Sequence, residues 1–341
     1  VSPLFEALLT AWPRLLLVAA VAFVVAEAWR RLALRRGVLD VPGHRSSHAV
    51  ATPRGAGIGI AVASGLAIAL WAPPGTTRDA VLLGGLVAAI VGLADDFRPL
   101  PAAWKFVGQT LAALPVAIAL PLAPDGVPFV LPSPLAALAS AALVLLFVNA
   151  WNFMDGIDGI AAWAAVVVCT SVLAVATGAG AALVAPVAMG LLAACLGFLP
   201  LNFPKARVFM GDCGSHALGF GLAVLVLASP RIEIAGVALA ASAAFLVDVL
   251  GTLVLRARDG ERLASAHRRH LYQLATRSGY SHARVTMAYV AWMLASGVGM
   301  VMAQQAGREA IAAALVFFAT VSAWWWLQRH FTSHLKERGQ W

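Results

Sequence analysis

Apolar residues occupy this chain in long runs, separated by short polar connections. Runs long enough to cross a hydrocarbon core of about 30 Å, or nearly so with tilt, fall at about 10–32, 56–72, 79–94, 103–122, 134–150, 159–177, 180–200, 214–229, 234–256, 285–304 and 308–328. The pattern predicts an all-α polytopic membrane protein with about 11 transmembrane helices. The first run reads as a spanning helix and not as a cleaved leader, because no small-residue cleavage site closes it and ten more runs follow. No repeat, soluble module or low-complexity linker interrupts the series, so residues 1–341 read as a single integral membrane domain.

Composition agrees. Charged residues make up 12% of the chain, about half the roughly 25% of a soluble domain. The net charge of +8 would suggest nucleic acid in a soluble protein, but here it follows the connections. With the first span running outside to inside, all of the 24 Lys and Arg residues except Arg14, Arg78, Arg231 and Arg308 fall on inner segments. The positive-inside rule therefore orients the chain in a bacterial inner membrane, and nothing in the charge calls for nucleic acid. The eight histidines and the acids Asp95, Asp96, Asp155, Asp158 and Asp212 lie on or beside the same inner segments. A cleft on the cytoplasmic side, facing a water-soluble substrate, is the expectation. The three cysteines form no C-x-x-C pair and offer no disulfide framework.

Five inner segments carry chemistry. Asp95 and Asp96 end one span, with Lys105 following; adjacent carboxylates at a membrane entry repel each other unless a cation offsets them. Taken alone, the pair also reads as ordinary solvated helix-end charge. Asn149, Asn152, Asp155 and Asp158 recur every third position. One continuous helix would turn Asn149 and Asp158 to opposite faces, so Gly156 and Gly159 predict a helix break that lets the four side chains converge as oxygen ligands. A capped polar turn is the competing reading. Asp212, with Gly214 and Ser215 behind it, is placed at a helix N-terminus, where amides can approach a phosphate and the carboxylate can hold a metal, or where Asp212 is simply an N-cap. His267, Arg268, Arg269 and His270 occupy the longest inner loop; the two histidines would share a face if helical, and the arginines offer forks for pyrophosphate. Zinc lacks a third ligand at suitable spacing, and a basic loop serving only topology is the plain alternative. A juxtamembrane stretch containing Arg45 could meet a lipid phosphate or could be a basic linker. Glu27 and Asp248 lie within spans, and neither receives a chemical role.

In order and spacing these motifs resemble the polyprenyl-phosphate N-acetylhexosamine-1-phosphate transferase family, of glycosyltransferase family 4 type, over most of the chain. The resemblance implies ten or eleven transmembrane helices around a cytoplasmic cleft. It implies Mg2+, with Mn2+ as a substitute, held by Asp212 with Asn152 nearby. It places the catalytic carboxylates Asp95 and Asp96 at the lipid phosphate, with Asp212 as the third, and the 149–158 segment and the 267–270 loop near nucleotide and sugar. The partners implied are undecaprenyl phosphate, a UDP-N-acetylhexosamine and the bilayer, with a homodimer as one arrangement. The 267–270 loop looks more like the O-antigen or surface-polysaccharide initiators than the peptidoglycan branch, whose muramoyl-pentapeptide donor is the alternative. A transporter should show polar groups at midplane in paired broken helices, and a CDP-alcohol phosphotransferase needs an Arg soon after the first Asp-Gly; neither pattern is present.

Overall fold

A computed structural model of the chain describes residues 3–41, 50–121, 133–176, 182–263, 265 and 267–339. Arg45 lies outside the described residues. The elements in order are α1 (Pro3–Arg36), β1 (Leu39–Asp40), β2 (Thr52–Pro53), α2 (Ile58–Trp71), α3 (Thr76–Phe97), α4 (Ala102–Ala119), α5 (Ser133–Met154), α6 (Ile160–Leu173), α7 (Val184–Asn202), α8 (Gly211–Leu227), α9 (Ile232–Arg258), α10 (Leu271–Arg277), α11 (His282–Gln305) and α12 (Glu309–Glu337). Every apolar run is a helix, and among the described residues the fold is all-α apart from the two-residue antiparallel pairing of β1 with β2.

Among the described residues, eight helices are long and apolar enough to cross a membrane, whereas α2, α6 and α8 are shorter. A helix of 14 residues, such as α2 or α6, rises only about 21 Å, less than the hydrocarbon thickness. These three lie against other helices, and α8 is buried all round from Cys213 to Leu227. It forms the axis of the bundle, packed by α2, α3, α5, α7 and α9. The protein is therefore a multi-pass membrane protein whose most enclosed helix begins at Gly211, with Asp212 in its first turn.

Helix ends on one face create the site. Pro99 and Pro101 stop α3 and start α4; a proline cannot continue the hydrogen-bond ladder and disfavours helix in the residue before it. The carboxyl ends of α1, α3, α5, α7 and α9 meet the amino ends of α2, α4, α6, α8 and α11 at this face. The break expected in the 149–158 segment is present: α5 ends at Met154 and α6 begins at Ile160.

Close backbone approach locks α3 against α8. A Cβ on Gly92 would lie inside the Asp212 carbonyl and the Cys213 amide. Gly92→Ala is therefore expected to push the helices apart at a cost of roughly 1–3 kcal/mol, the usual range for overpacking. A lowered thermal midpoint of the purified protein in detergent would show this, and an unchanged midpoint would refute it.

Candidate active site

Asp95 and Asp96 end α3 side by side, yet they face different tasks. Both Asp96 oxygens are taken by α8: Oδ1 accepts the Asp212 N–H at 3.0 Å and Oδ2 the Cys213 N–H at 3.1 Å. The carboxylate supplies acceptors for two of the amides that a helix start leaves unpaired. Gly211, at φ +72°, makes this possible, since a side chain there would strike the Asp96 carboxyl. Two of the amides at this helix start are thus occupied from within the protein.

Asp95 accepts the Leu100 N–H at 2.6 Å and pairs with the Lys105 ammonium at 2.7 Å. The same ammonium lies 3.1 Å from Asp212 Oδ2, so Lys105 bridges the two carboxylates. Arg54 ties down the end of α3, donating to the carbonyls of Asp95 and Asp96 at 2.7 to 3.2 Å. Its own carbonyl accepts from Trp29 Nε1 at 2.9 Å.

Two cavities flank this core. The first, of about 290 Å³, is lined by Asp96, Asn152, Asp155, Asp158, Asp212, Arg54, Arg268, Tyr272, Gln273 and His282 among others. The second, of about 680 Å³, is lined by Lys105, Gln109, Asn149, Asn152, His267, His270 and Gln273 together with Leu100, Phe106, Phe153, Leu253 and Leu263. Of these apolar residues, Phe106, Phe153 and Leu263 are exposed on the surface, so the second cavity adjoins an apolar exterior. Asn152 and Gln273 border both.

The four polar residues of the 149–158 segment divide between the cavities. Asn149 donates to Gln109 Oε1 at 2.9 Å and to the Leu145 carbonyl, on the side of the second cavity. Asn152 donates to Ser215 Oγ at 3.1 Å, which leaves its carbonyl oxygen as an acceptor. Asp155 sits in the turn between α5 and α6, where burial and the charges of Asp212 and Asp96 push its carboxyl up to about 8. Asp158 pairs with His282 at 3.3 Å.

Other expected site residues are placed as follows. Residues 267–270 are not helical, although the His267 and His270 rings still lie 4.8 Å apart. Burial, with the nearby His270 and Arg256, pushes His267 down to about 4, so it is a neutral imidazole at pH 7. Arg269 forms ion pairs with Asp259 and Glu261, both at 2.6 Å, and lines neither cavity. Gly214 meets the backbone of Gly57 and the side chain of Met210, which makes it a packing position. Ser215 is fully buried and supports Asn152.

Arg54, from the juxtamembrane stretch offered to a lipid phosphate, lines the first cavity, and Asn202, Tyr272, Gln273 and His282 line the cavities without having been singled out for the site by sequence. Asn202 offered no local signal; its amide joins the Gly159 N–H to the Val208 carbonyl across two turns. Among the described residues, no three His, Cys, Asp or Glu side chains form a closed metal cage. Asp212, Asn152 and Asp155 nevertheless present hard oxygen donors to one cavity, the donor chemistry that suits magnesium, which is commonly held by one or two carboxylates plus substrate oxygens.

Such a bundle, with acids and arginines gathered at one end, defines a multi-pass membrane protein. The sequence model of glycosyl transferase family 4 matches residues 79–230. The chain is 31% identical over 323 residues to a decaprenyl-phosphate N-acetylglucosaminephosphotransferase of Mycolicibacterium smegmatis, covering 81% of this chain and 78% of that protein. It is 32% identical over 212 residues to a probable undecaprenyl-phosphate N-acetylglucosaminyl 1-phosphate transferase of Bacillus subtilis, covering 60% and 59%. A phospho-N-acetylmuramoyl-pentapeptide-transferase of Leuconostoc citreum is 35% identical over 157 residues, covering 42% and 47%. The chain belongs to glycosyl transferase family 4 and is a membrane-embedded phosphosugar transferase.

Proposed function

We propose that the protein moves an N-acetylhexosamine-1-phosphate from a UDP-sugar to undecaprenyl phosphate, releasing UMP and opening a surface glycan of the bacterial envelope. The observation that carries this reading is the meeting of a polar cavity with one that adjoins an apolar exterior, at Asn152 and Gln273, beside the Lys105 bridge to Asp212. The nucleotide sugar occupies the first cavity, where Arg268 and Arg54 face its phosphates. The lipid phosphate enters the second, beside Lys105. The positive-inside charge pattern supports a cytosolic position for both cavities at the inner membrane, where UDP-sugars are available.

One oxygen of the lipid phosphate attacks the phosphorus bonded to the sugar. The bond from that phosphorus to the bridging oxygen breaks, and the electron pair leaves with UMP. A phosphate monoester, with its second pKa near 6, is largely dianionic at pH 7, so removing a proton is a minor task for the protein. Asp95 and Asp96 work by position: one holds Lys105, the other fixes the start of α8 and hence Asp212. Asp212, Asn152 and Asp155 would hold Mg2+, which supplies offsetting charge for the pyrophosphate and departing UMP.

The test is UMP release by purified protein given undecaprenyl phosphate, Mg2+ and a panel of UDP-sugars that includes UDP-MurNAc-pentapeptide. One UMP per lipid-linked sugar phosphate is expected from an N-acetylhexosamine donor, with loss of turnover in excess EDTA and recovery on adding Mg2+ or Mn2+. Turnover confined to the muramoyl-pentapeptide donor would move the protein to peptidoglycan synthesis, and turnover unaffected by EDTA would remove the metal from the proposal.

A further inference from the structure

Gln273 stands in the first turn of α10 and, among the described residues, shares with Asn152 alone a place on both cavities. The orientation of its amide follows from its neighbours. The backbone N–H of His270 requires an acceptor, so the oxygen Oε1 faces it, at 3.2 Å. The nitrogen Nε2 is turned the other way. The amide is therefore held by its oxygen, and its N–H bonds are left for a ligand where the cavities meet.

We infer that Gln273 determines sugar specificity: its amide donates a hydrogen bond to the acyl oxygen of a 2-acetamido group on the transferred sugar. This rests on the transferase reading above. The junction is where the sugar phosphate must lie as it passes from nucleotide to lipid, since it belongs to both the donor and the product. Phosphate oxygens at the same place have cationic partners in Lys105 and Arg268, which form the stronger charge-assisted bonds. A fixed, uncharged donor complements an uncharged carbonyl. When a donor without that carbonyl binds, the amide loses a partner, and a site built around a hydrogen bond discriminates through that loss.

The experiment compares two donor pairs, UDP-GlcNAc with UDP-glucose and UDP-GalNAc with UDP-galactose, on the full-length protein with undecaprenyl phosphate and Mg2+. UMP release gives kcat/KM for each donor, with competitive inhibition constants where turnover is below detection. Gln273→Glu keeps an oxygen for the His270 N–H but has no donor when ionised. Gln273→Met removes the donor without adding charge, so repulsion of the nucleotide phosphates by the new carboxylate shows as a difference between the two variants. The expected result is that the preference of the wild type for the better acetamido donor over its 2-hydroxy counterpart shrinks about ten- to a hundredfold in both variants. An equal drop for both members of a pair, preserving the ratio, assigns Gln273 a purely structural role and overturns the inference. A wild type that releases no UMP from any donor overturns the transferase reading, and this inference with it.

Discussion

Asp212→Asn is expected to lower kcat roughly a thousandfold, the scale seen when one preorganised electrostatic group is removed from a site, while the fold survives. The substitution keeps the backbone N–H that Asp96 accepts and the carbonyl that faces Ser215 Oγ. What it removes is the negative charge between Lys105 and the first cavity. Lys105 keeps Asp95 as partner, so the side chain most affected is the proposed cation ligand. The check is UMP release measured alongside a thermal unfolding curve in detergent. Near-normal turnover in a folded Asp212→Asn protein would remove this carboxylate from the chemistry.

The second large effect is expected far from the reacting atoms, at Asp248. This carboxylate is fully buried in α9 and accepts from the Leu271 N–H at 2.9 and 3.1 Å, from Tyr289 Oη at 2.8 Å and from Trp324 Nε1 at 3.0 Å. One side chain thereby ties α10, α11 and α12 to α9, with His270 Nδ1 3.8 Å away. Asp248→Leu leaves those buried donors without acceptors, at a cost of roughly 3–5 kcal/mol, as when a buried polar network loses one member. The segment that brings Arg268 and Gln273 to the cavities should loosen. A lower melting temperature, faster tryptic cleavage at Arg262 or Arg268, and lost turnover are the expected signs. Asp248→Asn retains one acceptor oxygen and should fall between the two. A Leu variant with wild-type melting and cleavage would show that α10 is held by other contacts.

Much of this arrangement was legible in the sequence because it is local. Long apolar runs have few fates other than helices in a membrane protein, and each of the eleven became one. The break after Met154 was announced by Gly156 and Gly159 within one polar stretch. The position of Asp212 at a helix start could also be read from its neighbours. What stayed hidden depends on partners distant in the chain. The role of Asp96 as acceptor for the α8 amides joins residues more than a hundred positions apart, as does the Lys105 bridge. Arg269 resembled Arg268 in sequence, yet Asp259 and Glu261 claim it. Asp248 offered only the signal of a carboxylate within a span. Its purpose appears once α11 and α12 bring Tyr289 and Trp324 against it.

The central claim is that sugar and phosphate move together, and the most direct test follows the phosphorus. UDP-GlcNAc carrying 32P at the phosphorus bonded to the sugar is incubated with the protein, undecaprenyl phosphate and Mg2+, and the lipid and aqueous phases are counted. The account predicts label in the lipid fraction, matched by unlabelled UMP in the water. Label recovered in aqueous UDP, with the sugar alone on the lipid, would contradict it.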